Sequence, residues 1–304
     1  VCKLTKEVST YMPFVKVGRE NSADIEIYYE DLGSGRPVVL IHGFPLDGHS
    51  WEKQTAALVA AGYRVIAYDR RGFGASSKPS VGYDYDTFAG DLNQLMTELD
   101  LRDAALVGFS MGSGEVTRYL SKYGSERVSR AVLMGPVPPF LLKTDDNPEG
   151  VPAEVFEGIK AQIVKDRPSF FTGFFENFFN TDKLGEPLLF GEARITEAAV
   201  RMSWNVAVQS SALATLACVD TWLTDFRNDL PKIDVPVLII HGDADRILPP
   251  DSTAKRLPDL IKNSRLVIIE NGPHAIGWTH AEQVNPALLE FLGEETGKSK
   301  AVEN

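Results

Sequence analysis

Short β-branched runs alternate with helical segments along most of this chain, and few architectures accommodate that order. The runs predict strands at residues 25–29, 37–41, 65–68, 104–107, 128–134, 235–240 and 265–269. The segments between and after them predict helices at residues 51–61, 85–99, 112–122, 251–260 and 283–292. Strands separated by helices need crossover connections, which build a mainly parallel sheet flanked by helices. Several strands are continuously apolar, as expected when both faces of a parallel sheet are covered.

The region from residue 138 to residue 230 interrupts this alternation. It shows no convincing strand and is rich in aromatic residues at helical spacing, including several paired phenylalanines. We predict a helical cap inserted between two sheet strands, with residues 12–137 and 231–293 forming the two parts of an α/β core. Most cap aromatics are expected to pack against the sheet. A cap over the carboxyl edge of the sheet would also enclose an apolar ligand cavity.

The two ends of the chain lie outside this pattern. Residues 1–11 precede a Met-Pro-Phe sequence and are interpreted as a leader or a cloning remnant, and residues 294–304 as a flexible tail. We expect neither a membrane span nor a signal peptide, and the two cysteines, Cys2 and Cys218, suggest no disulfide framework. The cytoplasm is therefore the expected compartment. A net charge of −11 disfavours nucleic acid and membranes as partners, because both attract clustered basic residues.

The strongest chemical signal is the sequence GFSMG at residues 108–112, a G-x-S-x-G motif between a predicted strand and a predicted helix. This context predicts a sharp turn that raises the Ser110 hydroxyl above the sheet as a nucleophile. Gly108 and Gly112 fit because the turn leaves no room for side chains beside it. The Met111 N–H then points toward an anion at the helix N-terminus and is the first predicted donor of an oxyanion hole.

A serine hydroxyl needs a base, and the chain order serine, acid, histidine places that base late in the sequence. Among the five histidines, His274 lies in a turn just beyond the last predicted strand, above the carboxyl edge of the sheet. It is predicted to be the base, and structural or incidental roles suit the other four. The acid should also follow a strand, and Asp243 and Asp245 both follow the strand predicted at residues 235–240.

The loop after the strand at residues 37–41 is predicted to supply the second oxyanion-hole donor, the Phe44 N–H. Pro45 cannot donate, and it holds Phe44 in an extended conformation, so it controls where the Phe44 carbonyl points. Trp204 and Ile276 are further candidates for contacting or tuning the substrate. The sequence DRRGFG at residues 69–74 lacks the context of a phosphate loop and is interpreted as a structural turn.

No Cys/His cluster has metal-ligand spacing, and no haem attachment or dinucleotide fingerprint is found in the sequence. The chemistry is therefore expected to need no cofactor and no metal.

From residue 12 to residue 292, the chain resembles the non-haem haloperoxidases, also called perhydrolases, of the α/β-hydrolase superfamily, a group that includes esterases and γ-lactamases. The resemblance rests on HGFPLDGHSW at 42–51, DRRGFG at 69–74, GFSMGSGE at 108–115, FLLKTDD at 140–146, Pro-His at 273–274 and WTHAE at 278–282. It implies the α/β-hydrolase fold and a serine triad. Residues 241–249 fit the pattern H-G-x-x-D-x-x-x-P, which makes Asp245 the acid and leaves Asp243 as a turn residue.

The resemblance also implies an acyl-enzyme that passes its acyl group to water, or to hydrogen peroxide to form a peracid that oxidises halide in solution. Pro45 matches the perhydrolytic members, which tend to carry proline after the oxyanion-hole residue. The stretch LGEPLLF at 184–190 departs from the family pattern and leaves substrate choice open. A small, mostly apolar acyl compound is the expected substrate, and a homo-oligomer is expected because relatives associate.

Two alternatives stay open. A carboxylesterase or a γ-lactamase would use the same triad on a different acyl donor. A slow-turnover ligand receptor on the same fold would keep the triad too, since fold alone does not determine function.

Overall fold

The computed structural model describes residues 13–185 and 193–294. The predicted leader, Cys2, most of the predicted tail and most of the stretch at 184–190 lie outside the described residues. Within the described residues, no helix is both long enough and apolar enough to cross a bilayer.

The described residues contain one sheet of eight strands. The strands are β1 (Phe14–Glu20), β2 (Ala23–Gly33), β3 (Pro37–Ile41), β4 (Arg64–Tyr68), β5 (Ala104–Phe109), β6 (Val128–Met134), β7 (Val237–Gly242) and β8 (Ser264–Ile269). Their spatial order is β1-β2-β4-β3-β5-β6-β7-β8. Strand β2 pairs antiparallel with β1 and β4, and all pairs from β4 to β8 are parallel. The predicted fold class, a mainly parallel sheet flanked by helices with helices inserted between two strands, is confirmed.

Ten α-helices lie in the described part of the chain, together with short 3-10 turns. They are α1 (Glu52–Ala60), α2 (Tyr85–Glu98), α3 (Met111–Tyr123), α4 (Ala153–Phe179), α5 (Thr181–Leu184), α6 (Glu197–Val208), α7 (Ala212–Thr221), α8 (Leu257–Leu260), α9 (Ile276–Thr279) and α10 (Ala281–Gly293). Helices α4 to α7 are the insertion between β6 and β7. Among the described residues of this insertion there are only isolated bridges and no strand of the sheet.

The sequence predictions differ from the structure most at two segments. Strand β1 was not predicted, because its apolar alternation is interrupted where the pairing register with β2 shifts between Lys16 and Gly18. The helix predicted at residues 251–260 is reduced to a 3-10 turn (Ala254–Arg256) followed by the single turn of α8. Prolines explain the second difference, since Pro258 lacks an N–H and fits only the first turn of a helix.

The central strands are buried along their whole length and anchor the loops at their carboxyl ends. Every residue of β5, β6 and β7 is buried, as expected for strands covered on both faces. Because these strands are parallel, the segments after β3, β5 and β7 emerge at the same edge of the sheet. Chemical groups on those three segments are therefore held close together by a rigid core.

Helix α4 is broken at Asp166, where the backbone leaves the helical conformation. The Asp166 carboxylate accepts a hydrogen bond from the Ser169 N–H at 3.0 Å, which caps the second half of the helix, and Pro168 fits this new first turn. The second half then carries its phenylalanines over the carboxyl edge of the sheet. Phe171, Phe175, Phe178 and Phe179 are buried there.

Candidate active site

Ser110 lies in the predicted sharp turn between β5 and α3. Its φ is 53° and its ψ is −120°, a conformation that serine rarely adopts and that costs on the order of 1–3 kcal/mol. The Ser110 N–H donates to the Met134 carbonyl oxygen at 2.8 Å, which holds the turn. A side chain at Gly108 or Gly112 would overlap backbone atoms of neighbouring segments, which explains the two glycines of the motif.

The His274 imidazole bridges Ser110 and Asp245. Its Nε2 lies 2.8 Å from Ser110 Oγ, and its Nδ1 lies 2.6 Å from Asp245 Oδ2. All three residues are buried, with His274 only 1% exposed. Since the carboxylate can only accept, Nδ1 carries the proton and Nε2 accepts from the serine hydroxyl. The structure thus brings together the three residues that the sequence indicated, in an arrangement that can deprotonate a serine.

The Asp245 carboxylate is fixed by hydrogen bonds to both of its oxygens. Oδ1 accepts from the N–H groups of Ile247 and Leu248, each at 2.8 Å. Burial raises the pKa of this carboxyl, but electrostatic attraction to His274 and the hydrogen bonds from His241 and His274 outweigh burial and place the pKa well below its ordinary value. The carboxylate is therefore charged at neutral pH and faces the imidazole in a fixed orientation.

A second histidine, His241, also contacts the Asp245 carboxylate, and the sequence did not predict this contact. Its Nε2 lies 2.8 Å from the Leu248 carbonyl oxygen and 3.1 Å from Asp245 Oδ2. Both neighbours are acceptors, so Nε2 carries the proton and donates to them. Asp243, the other candidate acid, accepts instead from the Asn271 N–H at 2.6 Å and so links two loops at the surface.

The two predicted oxyanion-hole donors lie on segments that meet beside Ser110. A side chain at Gly43 would come within 2.9 Å of the Ser110 Cβ, so the loop after β3 passes directly over the turn. Within the described residues, the Phe44 N–H has no acceptor. Met111 is the first residue of α3, where an N–H has no acceptor inside the helix. The Phe44–Pro45 peptide bond is cis.

A cavity of about 230 Å³ contains Ser110. Its remaining lining is almost entirely apolar and comes from the loop after β3, from the insertion and from the loop after Asp245. Lining residues include Phe44, Leu141, Phe170, Phe174, Trp222 and Leu248. Arg246 lies at its border and forms an ion pair with Asp182 at 2.8 Å. A cavity of this size and polarity suits a small apolar group bound to the serine.

A larger cavity of about 320 Å³ lies nearby but does not contain Ser110. Its lining includes Trp51, Phe109, Phe178, Met202 and Trp278. The rings of Phe109 and Phe178 pack on His274, with centroids 5.0 and 5.2 Å from the imidazole. We assign the candidate site to the smaller cavity because Ser110 lines it.

The two predicted tuning residues do not line either cavity in the described structure. Trp204 donates its indole N–H to the Pro168 carbonyl oxygen at 3.1 Å and lies along a groove between α4 and α6. Ile276 is fully buried, and its N–H donates to the His274 carbonyl oxygen at 2.9 Å. Trp222, another aromatic residue of the insertion, lines the Ser110 cavity instead of Trp204, and its ring packs on Phe44 with centroids 4.8 Å apart.

Among the described residues, no group of three or more His, Cys, Asp or Glu side chains is arranged to hold a metal ion. The candidate site therefore consists of the serine, the two histidines, the aspartate, the two backbone donors and an apolar cavity.

The chain is similar to known α/β hydrolases. Residues 36–281 match a family model described as the alpha/beta hydrolase fold. A protein of Synechocystis sp. named putative non-heme chloroperoxidase is 70% identical over 281 residues, which cover 92% of this chain and 100% of that protein. A protein of Acinetobacter calcoaceticus named bifunctional esterase/perhydrolase DCH is 35% identical, covering 88% and 95% of the two chains.

The crystal structure of a bromoperoxidase from Bacillus anthracis has a similar fold. It superposes with a TM-score of 0.86 at 47% identity, covering 92% of this chain and 99% of that one.

Proposed function

This chain belongs to the α/β-hydrolase family and, within it, to the non-haem haloperoxidase group, and we propose on that premise that Ser110 forms an acyl-enzyme with small carboxylic acids or esters. The acyl group then passes to water, as in an esterase, or to hydrogen peroxide, which yields a peracid. The observation that carries this proposal is the position of His274, 2.8 Å from Ser110 Oγ and 2.6 Å from Asp245 Oδ2.

In the first half of the reaction, His274 Nε2 accepts the Ser110 proton as Oγ attacks the acyl carbonyl. Negative charge develops on the carbonyl oxygen and is stabilised by the N–H groups of Phe44 and Met111. The imidazolium then gives its proton to the leaving alcohol, or to the leaving hydroxide when a free acid is the donor. Asp245 stays charged throughout and stabilises the imidazolium.

In the second half, His274 removes a proton from water or from hydrogen peroxide, and the resulting oxygen nucleophile attacks the acyl carbonyl. Collapse of the tetrahedral intermediate returns the proton to Ser110 Oγ and releases an acid or a peracid. With acetate as the donor, acetic acid and hydrogen peroxide give peracetic acid and water. The peracid then oxidises halide in solution, without further participation of the protein.

The size and lining of the Ser110 cavity support short acyl groups as substrates. At about 230 Å³ the cavity is smaller than those that enclose drug-sized ligands. Its aromatic walls, including Phe174 and Trp222, offer apolar contact and few hydrogen bonds to the acyl chain.

The test measures two activities of the wild type and of Ser110→Ala: hydrolysis of p-nitrophenyl acetate, and formation of peracetic acid from acetate and hydrogen peroxide. We expect the wild type to turn over repeatedly in both assays and the substitution to abolish both. Ester hydrolysis without peracid would leave an esterase or a lactamase. Activity that survives Ser110→Ala would overturn the proposed nucleophile, and a single turnover would favour the receptor alternative.

Pro45 is proposed to favour peroxide over water. In this hypothesis, it directs the Phe44 carbonyl so that the oxygen accepts a hydrogen bond from peroxide attacking the acyl-enzyme. Pro45→Leu should therefore lower the ratio of peracid formation to ester hydrolysis, and an unchanged ratio would refute the hypothesis.

A further inference from the structure

We infer that Arg70 is a positioning residue for the oxyanion hole, because it joins the two chain segments that carry the Phe44 and Met111 N–H groups. This inference rests on the proposed function, in which those two groups stabilise the oxyanion. Arg70 belongs to the DRRGFG sequence just after β4, whose glycine spacing predicted only a structural turn.

The first connection runs from Arg70 to the loop after β3. The Arg70 side chain donates through Nη2 to the His42 carbonyl oxygen at 2.9 Å, and the Arg70 backbone N–H donates to His42 Nε2, also at 2.9 Å. Because Nε2 accepts, the imidazole proton is on Nδ1, which donates to the Gly43 carbonyl oxygen at 2.8 Å. Burial and the charge of Arg70 lower the pKa of His42 to about 3, so the ring stays neutral.

The Gly43 carbonyl and the Phe44 N–H belong to the same planar peptide unit. A hydrogen bond that fixes the direction of the carbonyl therefore fixes the direction of the N–H. The Arg70 backbone N–H thus sets the orientation of the Phe44 N–H through the His42 imidazole, and the Arg70 side chain holds the preceding His42 carbonyl in the same loop.

The second connection runs from Arg70 to the helix behind Ser110. Arg70 Nε donates to Glu115 Oε2 at 2.7 Å, and the other carboxylate oxygen of Glu115 accepts from the Tyr68 hydroxyl. Glu115 lies on α3, four residues after Met111 and so about one turn further along the same face. Arg70 therefore contacts both segments that carry the proposed donors, the loop after β3 through His42 and helix α3 through Glu115.

Burial of this ion pair is difficult to explain by stability alone. The side chains of Arg70 and Glu115 are 1% and 0% exposed. The desolvation of two charges offsets much of their attraction, and apolar replacements of such pairs are often neutral or stabilising. Transition-state stabilisation, in contrast, depends on donors held within about 0.5 Å of their required positions. A guanidinium with several donors in a fixed plane is suited to holding two segments at once.

The adjacent residue provides a matched control. Arg71 forms its own buried ion pair with Asp91 on α2, with two hydrogen bonds of 2.6 and 2.7 Å. Both side chains are 6% exposed, so loss of this pair should destabilise the fold much as loss of the Arg70 pair does. Neither residue forms a hydrogen bond with the loop after β3 or with α3 in the described structure.

The experiment compares Arg70→Lys and Glu115→Gln with Arg71→Lys and Asp91→Asn. For each variant, kcat and KM for p-nitrophenyl acetate are measured together with inhibition by butylboronic acid and the thermal midpoint. The boronic acid adds to Ser110 Oγ, the serine proton passes to His274, and one oxygen of the tetrahedral adduct occupies the oxyanion hole. Its affinity therefore reports the hole itself.

We expect Arg70→Lys and Glu115→Gln to lower kcat and to weaken boronate inhibition by a similar factor, of the order of 10- to 100-fold, with KM changed less than about threefold. The control pair should lower the thermal midpoint but leave kcat and boronate inhibition within about twofold of the wild type. Glu115→Gln keeps the size of the side chain and decides the question if Arg70→Lys does not fold.

Equal losses of kcat in the Arg70 and Arg71 ion-pair variants, or unchanged boronate inhibition in Glu115→Gln, would overturn the role of Arg70. Either outcome would leave the proposed function intact. A wild-type enzyme that boronic acid does not inhibit, with activity retained in Ser110→Ala, would overturn the proposed function and this inference with it.

Discussion

Replacing Asp245 by asparagine tests the candidate triad most directly, because the structure dictates how the new amide must sit. Oδ1 accepts two backbone N–H groups at 2.8 Å, from Ile247 and Leu248. An asparagine keeps both bonds only if its carbonyl oxygen takes the Oδ1 position, and the reverse orientation would set its NH₂ group against two donors. The NH₂ group therefore takes the Oδ2 position and faces the imidazole.

The asparagine NH₂ group at the Oδ2 position reverses the direction of the hydrogen bond to His274. Where Asp245 Oδ2 accepts from Nδ1 at 2.6 Å, the amide can only donate, so Nδ1 must become the acceptor and the ring proton moves to Nε2. A protonated Nε2 cannot accept the proton of Ser110, whose Oγ lies 2.8 Å away. The same change in a serine protease costs about 10⁴-fold in kcat, or about 5 kcal/mol of transition-state stabilisation, and we expect a loss of this order here.

The assay is steady-state hydrolysis of p-nitrophenyl acetate by Asp245→Asn, with Asp243→Asn as the control. Asp243 lies two residues away and its Oδ1 accepts only from the Asn271 N–H in the described structure, so its replacement should change kcat less than about threefold. KM should change little in either variant, since neither carboxylate lines the Ser110 cavity. A variant Asp245→Asn with more than a tenth of wild-type kcat would refute the reasoning from tautomers.

Three further predictions concern single residues. The pKa of His42, about 3 in the fold, lies below its unfolded value near 6.5, so its stabilising contribution is complete above pH 6.5 and is lost as the pH falls toward 3. Over this range, the free energy of unfolding measured in urea should fall by about 1.4 kcal/mol more per pH unit in the wild type than in His42→Gln. Parallel plots of this free energy against pH for the two proteins would contradict the lowered pKa. Burial raises the pKa of the Cys218 thiol to about 12, so a Cys2→Ser variant should react with Ellman's reagent at pH 8 only after denaturation. Trp222→Ala should raise the kcat/KM of octanoyl relative to acetyl esters by about tenfold, whereas Trp204→Ala should leave the ratio unchanged, and equal effects would show that the cavity is wrongly assigned.

The parallel core was predictable from the sequence because one physical cause produced the whole pattern. Strands β5, β6 and β7 are covered on both faces, so most of their residues are apolar and their positions are visible in the sequence. Their exact bounds are not, since the strand predicted at residues 235–240 spans Val237–Gly242. Strand β1 could not be read in this way. It lies at the edge of the sheet and carries a register shift, so its exposed residues alternate irregularly.

The residues of the candidate triad were recognisable in the sequence for a different reason. Ser110 needs glycines beside it because of its backbone conformation, and His274 and Asp245 must follow strands to reach it. Each requirement leaves a local signature in the sequence. Cavity residues have no such requirement, because any apolar side chain of suitable size can line a cavity, and so neither the choice of Trp204 nor the actual place of Trp222 followed from spacing.

The contacts of His241 and Arg70 beside the candidate site could not be predicted from the sequence. Each occurs in a short motif with a simple local interpretation. His241 lies at a strand end before a glycine, and Arg70 lies in a predicted turn. Their partners lie far along the chain, since Arg70 joins His42, 28 positions before it, to Glu115, 45 positions after it. Such bridges depend on which loops the sheet order brings to one edge, and here β3 lies between β4 and β5. Arg70 after β4, His42 after β3 and Glu115 beyond β5 therefore become neighbours only once that order is known.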